Sequence, residues 1–140
     1  KIKLKNYFKG VAIRPGKPIM FAKFKNNKVF FGLPGNPISS AACFRFFIIP
    51  FLFNSLEMRK EKAIISRLDN SFIKKNFFTR FIKGKLNTTN KGIVEFKVLK
   101  GQESFRINSF TKANSWGLFP SGKSSFKRGS LIKCYTTSPF

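Results

Sequence analysis

Two loops carry the residues whose types and order suit chemistry on an anion. The first is Arg14-Pro15-Gly16-Lys17-Pro18, two cations on a loop that two prolines and a glycine keep out of regular structure. The second is Gly32-Leu33-Pro34-Gly35-Asn36-Pro37-Ile38-Ser39-Ser40. Its glycines let the main chain come close to a ligand, and its prolines hold its shape. A helix opening at Pro37 would offer N–H groups and the positive end of its dipole to an anion. Ser39 falls in that first turn and adds a hydroxyl donor. Each loop alone is a weak signal, and on pattern alone the second reads slightly better as a well-capped strand-to-helix connection. In this order, about sixteen residues apart, at the ends of successive strands of a parallel α/β layer, they describe an oxyanion site.

Other chemistries find less support. Cys43 and Cys134 stand alone and the chain has no histidine, so a zinc shell cannot be closed. Cys43 lies in an apolar stretch and reads as a small core residue. The five acids, Glu57, Glu61, Asp69, Glu95 and Glu103, are dispersed and form no metal cluster. Gly117-Leu118-Phe119-Pro120-Ser121-Gly122-Lys123-Ser124 matches the Walker A expression. A P-loop needs a helix opening at the lysine, whereas Ser125-Phe126-Lys127-Arg128-Gly129 follows as a second loop. A turn between two strands is expected there.

The formal net charge is +23, from 28 Lys+Arg against 5 Asp+Glu. Such a balance suits nucleic acid, with some of the 20 Phe as stacking platforms, and a basic β-rich nucleic-acid-binding domain is the alternative function. The cations are scattered without a dense cluster, and Lys, Phe, Asn and Ile are all enriched, as in compositional drift. Nucleic acid is therefore not the expected partner. Sparse cysteine fits a reducing cytoplasm, no apolar stretch follows the basic start to form a signal peptide, and the apolar run Phe46–Phe53 is short of the ~20 residues of a membrane span.

The elements that must position the loops are legible in outline. Asn6–Leu33 reads as extended chain, with strands over Ile19–Phe24 and Val29–Leu33 and a turn at Lys25–Lys28. Asn36 caps a helix running to about Leu56, with Phe44, Phe47, Ile48 and Phe51 at helical spacing and a kink or break at Pro50. Glu57–Lys62 is a linker. Short strands are predicted over Ala63–Leu68, Phe77–Leu86, Ile93–Leu99, Ser104–Phe110 and Leu131–Tyr135, as in a small barrel or sandwich. The fold class is thus α/β followed by all-β, divided near residue 58.

GVAIRPGKP at Gly10–Pro18, followed by GLPGNPISS at Gly32–Ser40, resembles the C-terminal half of the molybdopterin molybdenumtransferase family (MoeA and the gephyrin E-domain). Phe78-Thr79-Arg80-Phe81, Gly101-Gln102-Glu103-Ser104 and Ala113–Pro120 resemble later segments of it, so the likeness covers nearly the whole chain. The resemblance implies that residues 1–57 are part of a MogA-like molybdopterin-binding α/β subdomain and residues 58–140 a C-terminal β-barrel subdomain. It implies insertion of molybdate into adenylylated molybdopterin with release of AMP, assisted by Mg2+. Molybdate would be held by Lys17, Pro18, Ser39, Arg80 and Ser104. Arg14, Gly16, Gly32, Pro34, Gly35, Asn36 and Pro37 would form the molybdopterin loop. The catalytic and metal-binding acids would belong to a part of the family upstream of this chain, leaving no metal site here. A cytoplasmic homodimer acting on small molecules, with no membrane partner, completes the implied picture; the piece alone would be inactive. Two positions depart from the family pattern: Glu103 stands where glycine is usual, and Arg14 where lysine is common.

Overall fold

The computed structural model describes residues 4–74 and 77–139. Strands β1 (Leu4–Lys9), β3 (Met20–Phe24) and β4 (Val29–Gly32) form a three-stranded sheet in the order β1-β3-β4. Both pairings are antiparallel, which corrects the expected parallel layer. The turn at residues 25–28 is too short for a crossover, and only a hairpin can be closed by it. The sheet lays an aromatic face on the following helix: Phe21 and Phe31 lie 4.8 Å apart and Phe31 meets Phe51 at 5.4 Å.

That helix comprises α1 (Pro37–Cys43), a π-helical turn (Phe44–Ile48) and α2 (Ile49–Ser55). Asn36 is its N-cap, its Oδ1 accepting from Ile38 N at 3.1 Å and Ser39 N at 3.2 Å. The break expected at Pro50 takes the form of the widened turn ahead of it. Proline has no N–H to give and its ring crowds the carbonyl four residues back. The helical run spans 19 residues, long and apolar enough by length and composition to cross a bilayer, which exceeds the apolar run read from sequence. Arg45 interrupts that run in the sequence without ending the helix, because it is buried in an ion pair. Its Nη2 sits 2.6 Å from Glu61 Oε1, and its Nε donates to the Thr136 carbonyl at 2.9 Å.

Strands β5 (Ile64–Leu68), β7 (Thr79–Thr88), β8 (Val94–Val98), β9 (Ser115–Phe119) and β11 (Leu131–Thr136) close into a barrel. The order runs β7-β8-β5-β11-β9 and β9 pairs back to β7. Its interior is filled by Leu68, Ile82, Phe96, Phe119, Phe126, Ile132 and Cys134. Phe96 is the central ring, and Gly84 and Gly117 supply the room for it: a Cβ on Gly84 would lie 2.2 Å from Phe96 Cζ, and one on Gly117 2.7 Å from it. The Walker-like string begins within β9, and its remaining residues 120–124 are the turn, expected there, that leads to the two-residue strand β10 (Ser125–Phe126), which pairs with β6 (Phe72–Ile73).

The two parts share a second core. Ile13, Ile38 and Ala42 from the first pack with Phe81 and Trp116 from the barrel, and Phe46 stacks on Phe81 with centroids 3.9 Å apart. Short strand β2 (Ile13–Arg14) joins the barrel directly, running parallel to the start of β7. This junction positions the candidate site.

Candidate oxyanion cleft

A cleft of about 380 Å³ opens where the two parts meet, lined by Arg14, Pro15, Gly16, Lys17, Pro18, Ser39, Arg80 and residues 102–105. All five residues singled out for molybdate, Lys17, Pro18, Ser39, Arg80 and Ser104, line this one space although they are spread over 88 positions of sequence. Arg14 and Gly16 of the predicted molybdopterin loop join them. Gly32, Pro34, Gly35, Asn36 and Pro37 do not line the cleft; they shape the turn that delivers Ser39 to it.

The local backbone explains how each group arrives. The Arg14–Pro15 peptide is cis, and Gly16 has φ +108°, a conformation that favours glycine. A Cβ there would also meet Cys43 Sγ at 2.6 Å. The loop is thereby pressed onto α1, bringing Lys17 beside the buried Ser39. The expectation of free helix N–H groups is corrected: Asn36 Oδ1 takes the amides of Ile38 and Ser39, the Asn36 carbonyl takes that of Ser40 at 2.9 Å, and Pro37 has none. What α1 brings to the cleft is the Ser39 side chain.

The electrostatics are unbalanced. The β2–β7 register sets Arg14 directly against Arg80, a like-charge pairing that is unfavourable in a sheet. Lys17 lies close as well: Lys17 Nζ and the Arg14 guanidinium sit 5.6 Å and 5.5 Å from the centre of the same Phe78 ring. Among the described residues, ion pairs are found at Arg45–Glu61 and Arg106–Glu103, and none at Arg14, Lys17 or Arg80. Arg80 Nε is buried with no hydrogen-bond partner among the described residues. Burial and then the charge of Arg14 hold the Arg80 guanidinium below its usual range, with Glu103 working in the other direction. A buried donor without an acceptor costs about 1–3 kcal/mol, a cost that an anionic acceptor entering the cleft would relieve.

The far wall of the cleft was not foreseen. Residues 104–110, read as a strand, instead make a turn followed by helix α3 (Ile107–Thr111). Two residues hold that turn in place of strand pairing. The Gln102 side chain mimics a neighbouring strand: its Oε1 accepts from Lys83 N at 2.9 Å and its Nε2 donates to Lys83 O and Leu99 O, both at 2.7 Å. Lys83, 1% exposed, sends its Nζ to the carbonyls of Gly101 (2.8 Å), Glu103 (3.2 Å) and Arg106 (3.3 Å) and to Ser109 Oγ (2.6 Å). Lys74, equally buried, similarly donates to the carbonyls of Phe78 and Pro120. Burial lowers the pKa of both lysines, and neighbouring arginines lower it further; Glu103 opposes the shift at Lys83. No sequence signal marked these two among so many cations. Among the described residues no group of three or more His, Cys, Asp or Glu could hold a metal. The cleft, with three cations, hydroxyls and one carboxylate, does not suit Mg2+ either.

Residues 2–54 match the family model described as "Probable molybdopterin binding domain". The chain is 32% identical over 140 residues to a molybdopterin molybdenumtransferase of Staphylococcus aureus, covering 97% of this chain and 32% of the relative. It is 29% identical over 131 residues to one from Synechocystis sp., covering 92% of this chain and 31% of the relative. Its fold matches a molybdopterin biosynthesis MoeA protein from Pyrococcus horikoshii with a TM-score of 0.75 at 21% identity, over 94% of this chain and 32% of that one. The chain is thus homologous to molybdopterin molybdenumtransferases along nearly its whole length, and it spans about a third of the length of the curated relatives it matches.

Proposed function

We propose that this chain supplies the oxyanion-binding part of a molybdopterin molybdenumtransferase, which inserts molybdate into adenylylated molybdopterin and releases AMP. Molybdate is the substrate held by Lys17, Pro18, Ser39, Arg80 and Ser104. In this reading residues 1–57 are part of the molybdopterin-binding subdomain, with Arg14, Gly16, Gly32, Pro34, Gly35, Asn36 and Pro37 forming its loop, and residues 58–140 are the barrel subdomain. The whole protein works as a cytoplasmic homodimer, with Mg2+ and the catalytic acids supplied from outside this chain.

The observation that carries the proposal is the Arg14–Arg80 pairing with its orphaned Arg80 Nε. A tetrahedral dianion answers it chemically. The Arg80 guanidinium can donate through two nitrogens, Lys17 adds a point charge, and the hydroxyls of Ser39 and Ser104 donate to the remaining oxygens. Pro15 and Pro18 present no N–H, so they wall the cleft without competing for it. The role of these residues is to bind and orient the anion at the junction of the two parts, where effective concentration does the work of catalysis.

Equilibrium binding of molybdate to the chain tests this. Removing a charge-assisted hydrogen bond costs about 1.5–3 kcal/mol, so Arg80→Ala should weaken binding by roughly ten- to a hundredfold. Ser39→Ala should weaken it severalfold, with circular dichroism unchanged in both. Unaltered affinity in both variants, or no binding by the parent chain, overturns the assignment.

A further inference from the structure

The cleft contains one group that works against an anion. Glu103 lies on its wall beside Ser104. Its side chain is 52% exposed, and its Oε2 lies 3.1 Å from Arg106 Nε in an ion pair. The main chain beneath it is fixed, because the Glu103 carbonyl accepts from both Lys83 Nζ (3.2 Å) and Arg106 N (3.1 Å). The carboxylate therefore cannot leave by loop movement. Its freedom is rotation of the side chain between Arg106 and the cleft.

Charge matching shows what such a group does. Arg14, Lys17 and Arg80 line the cleft, with Glu103 as the one carboxylate among the lining residues, so the lining carries a net charge of about two positive and is neutralised by a dianion. Without the carboxylate the lining would favour anions of higher charge. We propose that Glu103 is a specificity-determining residue, a tethered counter-charge that tempers the cleft's preference for more highly charged oxyanions and keeps their binding readily reversible, with Arg106 holding it partly aside. The proposal rests on the molybdate reading above and deepens it. The coupling of Glu103 to both Arg80 and Lys83, raising each against burial, agrees with a carboxylate that the cleft's cations feel.

The test uses two tetrahedral oxyanions that differ in charge, perrhenate (one negative) and molybdate (two negative), titrated into the full chain at fixed ionic strength. Repulsion by a fixed charge scales with ligand charge, and in a solvent-open cleft it is worth roughly threefold in affinity per unit. Glu103→Gln should tighten perrhenate about threefold and molybdate about tenfold, so selectivity for the dianion rises. Arg106→Gln should weaken both, and that effect should shrink when combined with Glu103→Gln, which shows that Arg106 acts through the carboxylate. Equal gains for both anions would indicate relief of steric obstruction and overturn the proposal, as would no gain. Molybdate binding by the parent chain with Glu103→Gln unchanged refutes the role of Glu103 alone. Absence of molybdate binding in both refutes the molybdate reading as well.

Discussion

Replacing Lys83 by methionine separates the wall of the cleft from its support. Methionine matches the aliphatic stem and removes the ammonium, whose three hydrogens serve four acceptors within 3.3 Å. Hydrogen bonds to a charged group contribute about 1.5–3 kcal/mol each, a gross loss of roughly 5–9 kcal/mol. Two effects reduce it. Methionine spares the desolvation of a buried cation, worth several kcal/mol, and the lowered pKa of Lys83 shows that this cost is felt. Two of the three carbonyls also keep a donor: the single Ser109 hydroxyl hydrogen serves Gly101 O or Arg106 O, and Arg106 N reaches Glu103 O. The net loss should be about 2–3 kcal/mol. Urea unfolding followed by the fluorescence of Trp116, which is buried and in ring contact with Phe46 and Phe110, reports it. With a urea slope of about 2 kcal/mol per molar, the midpoint should fall by roughly 1 M. Proteolysis under native conditions should move to residues 101–109. A midpoint within about 0.2 M of the parent, with that segment still resistant, would refute the role of Lys83.

Gly84→Ala puts a methyl group 2.2 Å from Phe96 Cζ and 2.7 Å from the Lys97 carbonyl. Thermal melting should show a loss of about 3 kcal/mol or more, partly restored by shortening Phe96 to leucine. Glu61→Gln leaves the buried Arg45 cation short of a partner and should cost about 3 kcal/mol, read from the same urea curves. Burial raises Cys43 and Cys134 from 9.0 to about 11. The unfolded thiols ionise from pH 9 while the folded ones hold their protons, so their contribution to stability falls as pH rises between 9 and 11. Because Lys74 and Lys83 act in the opposite sense in the alkaline range below 10.5, the thiol effect is the difference between the parent and Cys134→Ala. A thiol reagent should label neither cysteine at pH 8 until urea unfolds the chain, and rapid native labelling would contradict the burial.

Much of the site was legible because its residues sit in local patterns. Proline and glycine around Lys17 dictate a loop wherever it falls, and Asn36-Pro37 opens a helix by capping and by fixed φ. Resemblance to the family then named Arg80 and Ser104, which only tertiary structure could bring across the cleft. What could not be read were features whose cause is non-local. The antiparallel sheet follows from a hairpin turn, yet loops at the ends of apolar segments look the same in a parallel layer. The segment 104–110 has strand-like residues, but side chains of Lys83 and Gln102 claim the hydrogen bonds a strand would need. Nothing in the sequence marks Arg45 for burial, which depends on Glu61 and Thr136, distant in sequence. Lys74 and Lys83 were hidden by abundance: in a chain with 28 basic residues, a buried cation resembles every exposed one.

The central claim, that an oxyanion occupies the cleft between Arg14, Lys17, Ser39, Arg80 and Ser104, is tested most directly by diffraction from crystals of the chain grown with molybdate. Data collected at the molybdenum absorption edge locate the metal by its anomalous signal. The account predicts one strong peak at the junction of β2, α1 and β7, within hydrogen-bonding reach of Arg80 through the molybdate oxygens. A peak elsewhere on the surface, or none in a fully soaked crystal, would contradict it.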